Sequence, residues 1–242
     1  MKNNNKFRLD VWGAITLGTI ALYALFLLYP MAYLIRQSVL DPDTGGFTLA
    51  YFTKFFSKSY YFDTLINSFK VSITATVLSI AIGTPLAYLF TIFKIKGKSV
   101  LNILIVVASM SAPFIGAYSW ILLLGRSGVI TAFFKNLGIA IPDIYGFGGI
   151  VLVMTLQLFP LVFLYAKGAL KNIDNSLIEA AENLGCSGIA CFFKVVVPLI
   201  MPTLLAAALL VFMRSFADFG TPMLIGEGYR TFPVVLLSLI HI

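Results

Sequence analysis

The sequence predicts an all-α fold, a polytopic bundle of transmembrane helices, and three observations support this prediction. Hydrophobic residues make up 60% of the 242 positions and charged residues only 11%, which is too little charge to cover the surface of a water-soluble protein of this size. The mean hydropathy is +0.96. Uncharged apolar stretches long enough to cross a membrane recur along the chain, so lipid is expected to surround most of it.

The first element is an apolar run from Val11 to Ile35, which contains no charged residue over 25 positions. Lys2, Lys6 and Arg8 precede it, much as basic residues precede the apolar core of a secretory signal. In signal peptides that core is only about 7–15 residues long. The longer run therefore predicts an uncleaved first transmembrane helix.

Four further uncharged stretches follow, and each is long enough to cross a hydrocarbon core of about 30 Å as a helix. They are residues 71–93, 99–125, 144–166 and 195–213. A sixth span is expected to begin near Phe232. The sequence thus predicts five complete spans joined by polar connections.

Some residues within these spans predict how the helices pack. Prolines are expected to kink or interrupt three of the helices, at Pro85, Pro113 and Pro160. Small residues recur on one face of the second span, namely Ser72, Thr76, Ser79 and Gly83. Such a face predicts close helix packing rather than a path for solute. Gln157 in the fourth span is expected to form a hydrogen bond to another helix.

The distribution of Lys and Arg predicts that the N-terminus lies in the cytosol. In this orientation the inner segments carry nine basic residues in 43 positions, against eight in 71 positions for the outer segments. Three of the nine lie in the short loop 94–98, and basic loops are retained on the cytosolic side. No continuous basic face results, so the net charge of +7 predicts contacts with lipid headgroups and no binding of nucleic acid.

The connection between the fourth and fifth spans, residues 174–198, is too long for a simple hairpin and predicts a short helix outside the membrane. Ser176 and Glu179 fit a capping box at its start. Gly185 fits the left-handed position that ends a helix. The capping signals therefore bound a helix of two to three turns.

This helix has one apolar face, on which residues recur at helical spacing: Leu177, Ala180, Ala181 and Leu184. Glu179, Glu182 and Asn183 are expected to point away from that face. A helix this short is not stable alone in water. Its apolar face is therefore expected to dock, either on the protein's own bundle or on a separate soluble subunit.

The same segment resembles the cytosolic signature loop of permeases from bacterial binding-protein-dependent ABC importers, in which EAAxxxG is followed nine residues later by IxLP. The residues that match are Glu179, Ala180, Ala181, Gly185 and Pro198. Val195 and Val197 stand where that family usually has Ile and Leu. The resemblance implies the type I importer permease fold, with residues 1–242 as an incomplete first half and 174–198 as its coupling loop.

The resemblance also implies partners and a division of labour. The EAA helix, with Leu177 and Leu184 flanking the motif, would insert into a cleft of an ATP-binding subunit that works as a dimer. A solute-binding protein would deliver cargo from outside, and a second permease half, fused or separate, would complete the path. The sequence contains no GxxxxGK[ST] loop, so ATP and Mg²⁺ are expected on the partner and no catalytic residue or cofactor is expected here.

The outer segment Arg214–Pro233 resembles the iron(III), polyamine and phosphonate group of these permeases, and most of all the iron(III) branch. This likeness implies iron(III) as cargo, with polyamine or phosphonate as alternatives. From the residues alone the segment reads as an interfacial turn in which Arg214 pairs with Asp218.

Two other kinds of membrane protein fit the composition. A secondary transporter or channel would need ionisable residues within its spans, and the predicted spans contain none. A membrane scaffold without transport activity would leave the capped helix unexplained.

Cys186 and Cys191 are the only cysteines, and a zinc site needs four ligands. They are expected to be reduced structural thiols that face the cytosol, and no metal site is predicted. Residues 237–242 match the translation of a transposon-derived sequencing adaptor. The expectation is therefore that the sixth span is cut short and that His241 has no functional role.

Overall fold

The computed structural model describes residues 11–41, 44–93, 96–110, 112–139 and 142–239. The basic N-terminal residues and His241 lie outside these ranges. Within them the regular structure is helical apart from one isolated bridge between Leu40 and Phe47. The predicted all-α fold is therefore confirmed. The chain divides into two units, residues 1–62 and 63–242.

The first unit is dominated by one apolar helical run. Helix α1 (Val11–Tyr23) continues through a π-helical turn (Ala24–Leu28) into α2 (Tyr29–Ser38), which confirms the predicted first span. None of its most apolar window is buried, as expected for a helix that faces lipid. A short helix, α3 (Ala50–Ser57), follows.

The remaining helices lie within the second unit, except that the first of them begins at Ser59, just before this unit starts at residue 63. In chain order they are α4 (Ser59–Ile92), α5 (Lys98–Ser109), α6 (Pro113–Leu124), α7 (Val129–Asn136), α8 (Phe147–Lys171), α9 (Asn175–Asn183), α10 (Gly188–Cys191), α11 (Val197–Ala217), α12 (Gly220–Ile225) and α13 (Phe232–Leu239). A second π-helical turn (Phe192–Val196) joins α10 to α11. Helix α13 begins at Phe232, where a further span was predicted to begin.

Helix α8 lies at the centre of the second unit. More than half of its most apolar window, 56%, is buried, and the buried side chains include Ile150, Met154 and Val162. Phe163 packs edge-on against Phe90 of α4, with ring centroids 5.2 Å apart, a geometry that aromatic pairs favour. The other helices of this unit are therefore assembled around α8.

The small residues of α4 are buried, and one of them, Gly83, forms a tight contact with α8. All four residues of the predicted face are buried: Ser72, Thr76, Ser79 and Gly83. A Cβ atom at Gly83 would lie 2.9 Å from both the carbonyl oxygen of Phe159 and Cβ of Val162, so the two backbones meet there without a side chain between them. The predicted packing role of this face is confirmed.

Five helical stretches of the described residues are long and apolar enough to cross a membrane, as predicted. They are Val11–Ser38, Ser59–Ile92, Pro113–Asn136, Phe147–Lys171 and Phe192–Ala217. The third differs from the predicted stretch 99–125, because α5 ends at Ser109 and α6 begins at Pro113. Proline favours the first turn of a helix, and Ala112 before it is extended, with ψ 142°.

The prolines thus act differently from one another. Helices α4 and α8 continue through Pro85 and Pro160, whereas the chain is interrupted just before Pro113. The interrupted α5 has 12 residues, about 18 Å of helix, which is too short to cross the hydrocarbon core.

Candidate coupling segment and transmembrane cavity

Helix α9 begins with a hydrogen-bonded cap, but its donor and acceptor differ from those predicted. The Ser176 backbone N–H donates to Oδ1 of Asp174 at 3.0 Å, and α9 starts at Asn175. Asp174 is therefore the N-cap, and the predicted capping box of Ser176 and Glu179 is wrong, because Ser176 is already the second residue of the helix. The hydrogen bonds from Ser176 lower the pKa of the Asp174 carboxyl, since they favour its charged form.

The other end of α9 has the predicted glycine cap. Gly185 has φ +84°, and a Cβ there would meet nothing within 4 Å, so the backbone conformation alone requires glycine. The Cys186 N–H donates to the Ala181 carbonyl at 3.1 Å, which is the longer hydrogen bond of a Schellman motif. The helix is thus bounded at both ends by its own local sequence.

Most of the predicted apolar face of α9 is uncovered. Leu177 is 49% exposed and Leu184 is 89% exposed, Ala180 is exposed and Ala181 is half-buried. The residue that packs against the hydrophobic core is Ile178, on a different side of the helix. The sequence analysis missed this anchor because Ile178 falls outside the i, i+3, i+4, i+7 pattern.

Glu179 is exposed, yet it lies at the edge between α9 and the bundle. Together with Ile178 it lines a cavity of about 320 Å³, whose other walls include Tyr88, Ile92 and Leu170. The space beneath α9 is therefore incompletely filled.

Aromatic packing fixes the second part of the segment, and this was not predicted. Phe192 is buried, and its ring lies 4.6 Å from that of Tyr88 in α4. Cys191 is buried, whereas Cys186 is half-buried, and the two are not joined by a disulfide. Pro198 stands apart from the α9 residues, exposed in the first turn of α11.

On the other side of α11, Asp218 caps α12. Its Oδ1 accepts the Gly220 N–H at 2.9 Å and its Oδ2 accepts the Thr221 hydroxyl at 2.7 Å. No ion pair between Asp218 and Arg214, both described residues, is formed. The predicted pairing of these two side chains is therefore wrong, because the helix terminus holds the carboxylate instead.

Contacts between distant parts of the chain hold the connection after α12. Arg126 forms ion pairs with Asp143 at 3.0 Å and with Glu227 at 2.9 Å. The Phe232 N–H donates to Oγ of Ser68 in α4 at 2.8 Å. This connection is thus tied to α4 and to the loops around α7.

A cavity of about 460 Å³ lies between α6, α8, α11 and α12, beside the break that precedes Pro113. Its polar wall includes Gln157, Arg214 and Asp218. The Gln157 amide forms no hydrogen bond with another described residue, so the predicted interhelical hydrogen bond is absent there. The sequence predicted that Pro113 would kink or interrupt its helix, but it did not indicate the cavity beside the break.

A protein-family model matches most of the chain, including the capped segment and the predicted spans after the first. Residues 46–240 match the model described as "Binding-protein-dependent transport system inner membrane component". The chain belongs to this family. The suggested resemblance is therefore confirmed, and the match covers both the coupling segment and the cavity.

Two curated permeases are equally identical to this chain but differ in how much of their own length it covers. The ferric transport system permease protein FbpB of Actinobacillus pleuropneumoniae is 28% identical over 232 residues, which cover 95% of this chain and 33% of that protein. The spermidine/putrescine transport system permease protein PotB of Haemophilus influenzae is 28% identical over 232 residues, which cover 92% of this chain and 79% of that protein. This chain thus spans about a third of the ferric permease.

The permease fold is also found in a solved structure. The crystal structure of a bacterial alginate ABC transporter, in complex with an alginate pentasaccharide-bound periplasmic protein, contains a chain that matches with a TM-score of 0.78 and 17% identity. The match covers 96% of this chain and 83% of that one. It confirms the type I importer permease architecture.

Proposed function

We propose that this chain is the membrane-spanning part of a permease that couples to separate ATP-binding subunits through α9. The observation that carries the proposal is a short helix, capped at both ends, whose apolar face is uncovered. Leu184 is 89% exposed, and apolar side chains on a segment outside the membrane favour a protein partner. The EAA residues Glu179, Ala180 and Ala181 lie on this helix, and Gly185 ends it.

Family membership supports a division of labour between this chain and its partners. ATP and Mg²⁺ would bind to a dimer of partner subunits, and this chain would conduct solute without covalent chemistry of its own. A solute-binding protein would dock at the outer mouth, and a second permease half, fused or separate, would complete the path. Residues 1–242 would belong to the first half, with residues 174–198 as its coupling loop.

The coupling role can be tested with two tryptophan substitutions on α9. Ala180→Trp places a large ring on the uncovered face, whereas Asn183→Trp adds the same ring to another side of the same helix. If the uncovered face docks in a cleft, Ala180→Trp should abolish copurification of the ATP-binding subunit, while Asn183→Trp should leave most of it. Both variants should insert into the membrane at the level of the wild type.

Equal retention of the ATP-binding subunit by both variants would contradict the assignment. It would mean that α9 touches only its own bundle, or that another segment makes the contact.

We propose the cytoplasmic membrane of a bacterium as the location, with the N-terminus in the cytosol. The basic loop 94–98 and the coupling segment would then lie on the cytosolic side. Cys191 is only 1% exposed, so a membrane-impermeant thiol reagent should label Cys186 in inverted vesicles and leave Cys191 unmodified. Labelling of Cys186 in intact cells would reverse the orientation.

We propose iron(III) as cargo, with polyamine or phosphonate as alternatives. The outer segment Arg214–Pro233 supports iron, but the ferric and polyamine permeases compared above are equally identical to this chain, at 28%. Uptake of labelled iron(III) and labelled spermidine in a strain that lacks the gene distinguishes the two. Loss of spermidine uptake with unchanged iron uptake would refute iron as cargo.

A further inference from the structure

Arg214 is an exposed residue in the last turn of α11, three residues before the end of the candidate span Phe192–Ala217. The hydroxyl of Ser215, its neighbour on α11, donates to Sδ of Met154 on α8 at 3.1 Å, which sets the two helices side by side at this level. Met154 is seven residues beyond Phe147, the first residue of α8, or about 10 Å along the helix axis. The Arg214 side chain therefore leaves its helix well inside the length of α8.

A guanidinium close to hydrocarbon is costly unless it meets a partner or water. Arg214 makes no ion pair or hydrogen bond with another described residue. It lines the cavity of about 460 Å³ between α6, α8, α11 and α12. The carboxylate in the same wall, that of Asp218, is occupied by the Gly220 N–H and the Thr221 hydroxyl.

Gln157 provides a second polar group in this wall. It is ten residues into α8, about 15 Å along the axis, which places it near the middle of the span. Its amide has no hydrogen-bonding partner among the described residues. The cavity thus presents the donors of a guanidinium and an amide, while its carboxylate is already hydrogen-bonded.

We propose that this cavity is a solute-binding station on the transport path, and that it accepts an anionic solute that bears carboxylate, phosphate or phosphonate oxygens. The inference rests on the proposed transport function. The planar guanidinium of Arg214 matches such oxygens in a bidentate geometry, and the Gln157 amide adds a donor deeper in the span. A metal cargo would pass as an anionic chelate.

The charge of the cavity can be measured without knowing the cargo. Gln157→Cys is made in the full chain, with Cys186→Ala and Cys191→Ala to remove the native thiols. The modification rates are then measured in lipid nanodiscs with the anionic sulfonatoethyl and the cationic trimethylammonioethyl methanethiosulfonate. The ratio of the two rates reports the local potential, because any change in the reactivity of the thiol itself cancels.

Adding Arg214→Gln should lower the anionic-to-cationic rate ratio at the thiol introduced by Gln157→Cys about tenfold, the scale on which local potentials concentrate ions. Excess citrate should slow the modification when Arg214 is present, and spermidine should not. Two controls match the test variants. Leu152 lies on the side of α8 that faces away from the bundle and is 42% exposed, so the thiol introduced by Leu152→Cys should react with neither reagent. Lys135→Gln removes one positive charge at a residue outside the cavity lining and should leave the rate ratio unchanged.

An unchanged ratio after Arg214→Gln would overturn the proposal, and so would protection by spermidine instead of citrate. Lack of reaction with either reagent would mean that the cavity is dry or filled by lipid, which also overturns it. The labelling needs no ATP-binding subunit, so a negative result here is distinct from a failure of the coupling role of α9.

Discussion

The two connections that flank α11 have similar local sequences, but they differ in how fully the rest of the chain covers them. Each begins with an aspartate that caps a short helix, Asp174 before α9 and Asp218 before α12. After α12 the chain is tied back to the bundle by Arg126 and by Ser68. Around α9 the apolar face is left uncovered, with Leu184 almost fully exposed. The connection around α12 is thus closed by contacts within this chain, whereas α9 keeps an uncovered apolar face.

The largest effect on stability is expected at the connection around α12. Asp218→Ala removes the acceptor for the Gly220 N–H and the Thr221 hydroxyl in a partly buried setting, and should lower the free energy of unfolding by about 2 kcal/mol. Asp218→Asn retains a side-chain oxygen and should lose clearly less. Thermal unfolding of the detergent-solubilised protein measures both. Equal losses for the two variants would mean that the charge, and not the cap, matters.

A smaller and more local effect is expected at the connection around α9. Gly185→Ala forces alanine into a left-handed conformation, at a cost of about 1 kcal/mol, although there is open space around the new methyl group. Hydrogen exchange should quicken in α9, with little change in the global unfolding midpoint. Gly188→Ala is the matched control, because its Cβ also meets nothing within 4 Å and its backbone is helical. A large global loss from Gly185→Ala would show that α9 is part of the cooperative core.

The smallest predicted effect is a loss of α9 stability at acidic pH. The pKa of Asp174 is lowered by the hydrogen bonds from Ser176, so the cap stabilises the helix above the unfolded carboxyl pKa of about 3.9. This stabilisation is lost as the pH falls through the lower folded value. Pepsin cleavage within α9 should therefore rise below about pH 4. Asp174→Asn, which caps without titrating, should show no such rise.

The hydrophobic pattern was sufficient to predict the fold class and the number of spans, because uncharged stretches of about 20 residues have few alternatives in a membrane. The sequence also predicted that Pro113 would kink or interrupt its helix, but it did not distinguish Pro113 from the other two prolines. Pro85, Pro113 and Pro160 are equivalent in the sequence, yet only Pro113 begins a helix. Whether a proline interrupts a helix depends on how neighbouring helices satisfy the freed backbone groups, and this is a tertiary property.

The candidate site was predicted in part. Gly185 was identified from local rules, since only its own backbone conformation matters. The capping residue was assigned to Ser176 instead of Asp174, because both residue types favour that position and the sequence alone does not fix the first helical residue. The anchors Ile178 and Phe192 and the position of Arg214 in the cavity wall were missed, because each depends on contacts with distant helices.

The close approach of α4 and α8 at Gly83 limits how this protein can move. A helix pair whose backbones touch cannot slide or roll without collision, since a Cβ at Gly83 would already lie 2.9 Å from the Phe159 carbonyl oxygen. Relative movement of these two helices is therefore expected to be restricted at this contact. Any bending of the chain is expected elsewhere, for example at the break before Pro113, where the helical hydrogen bonds are interrupted.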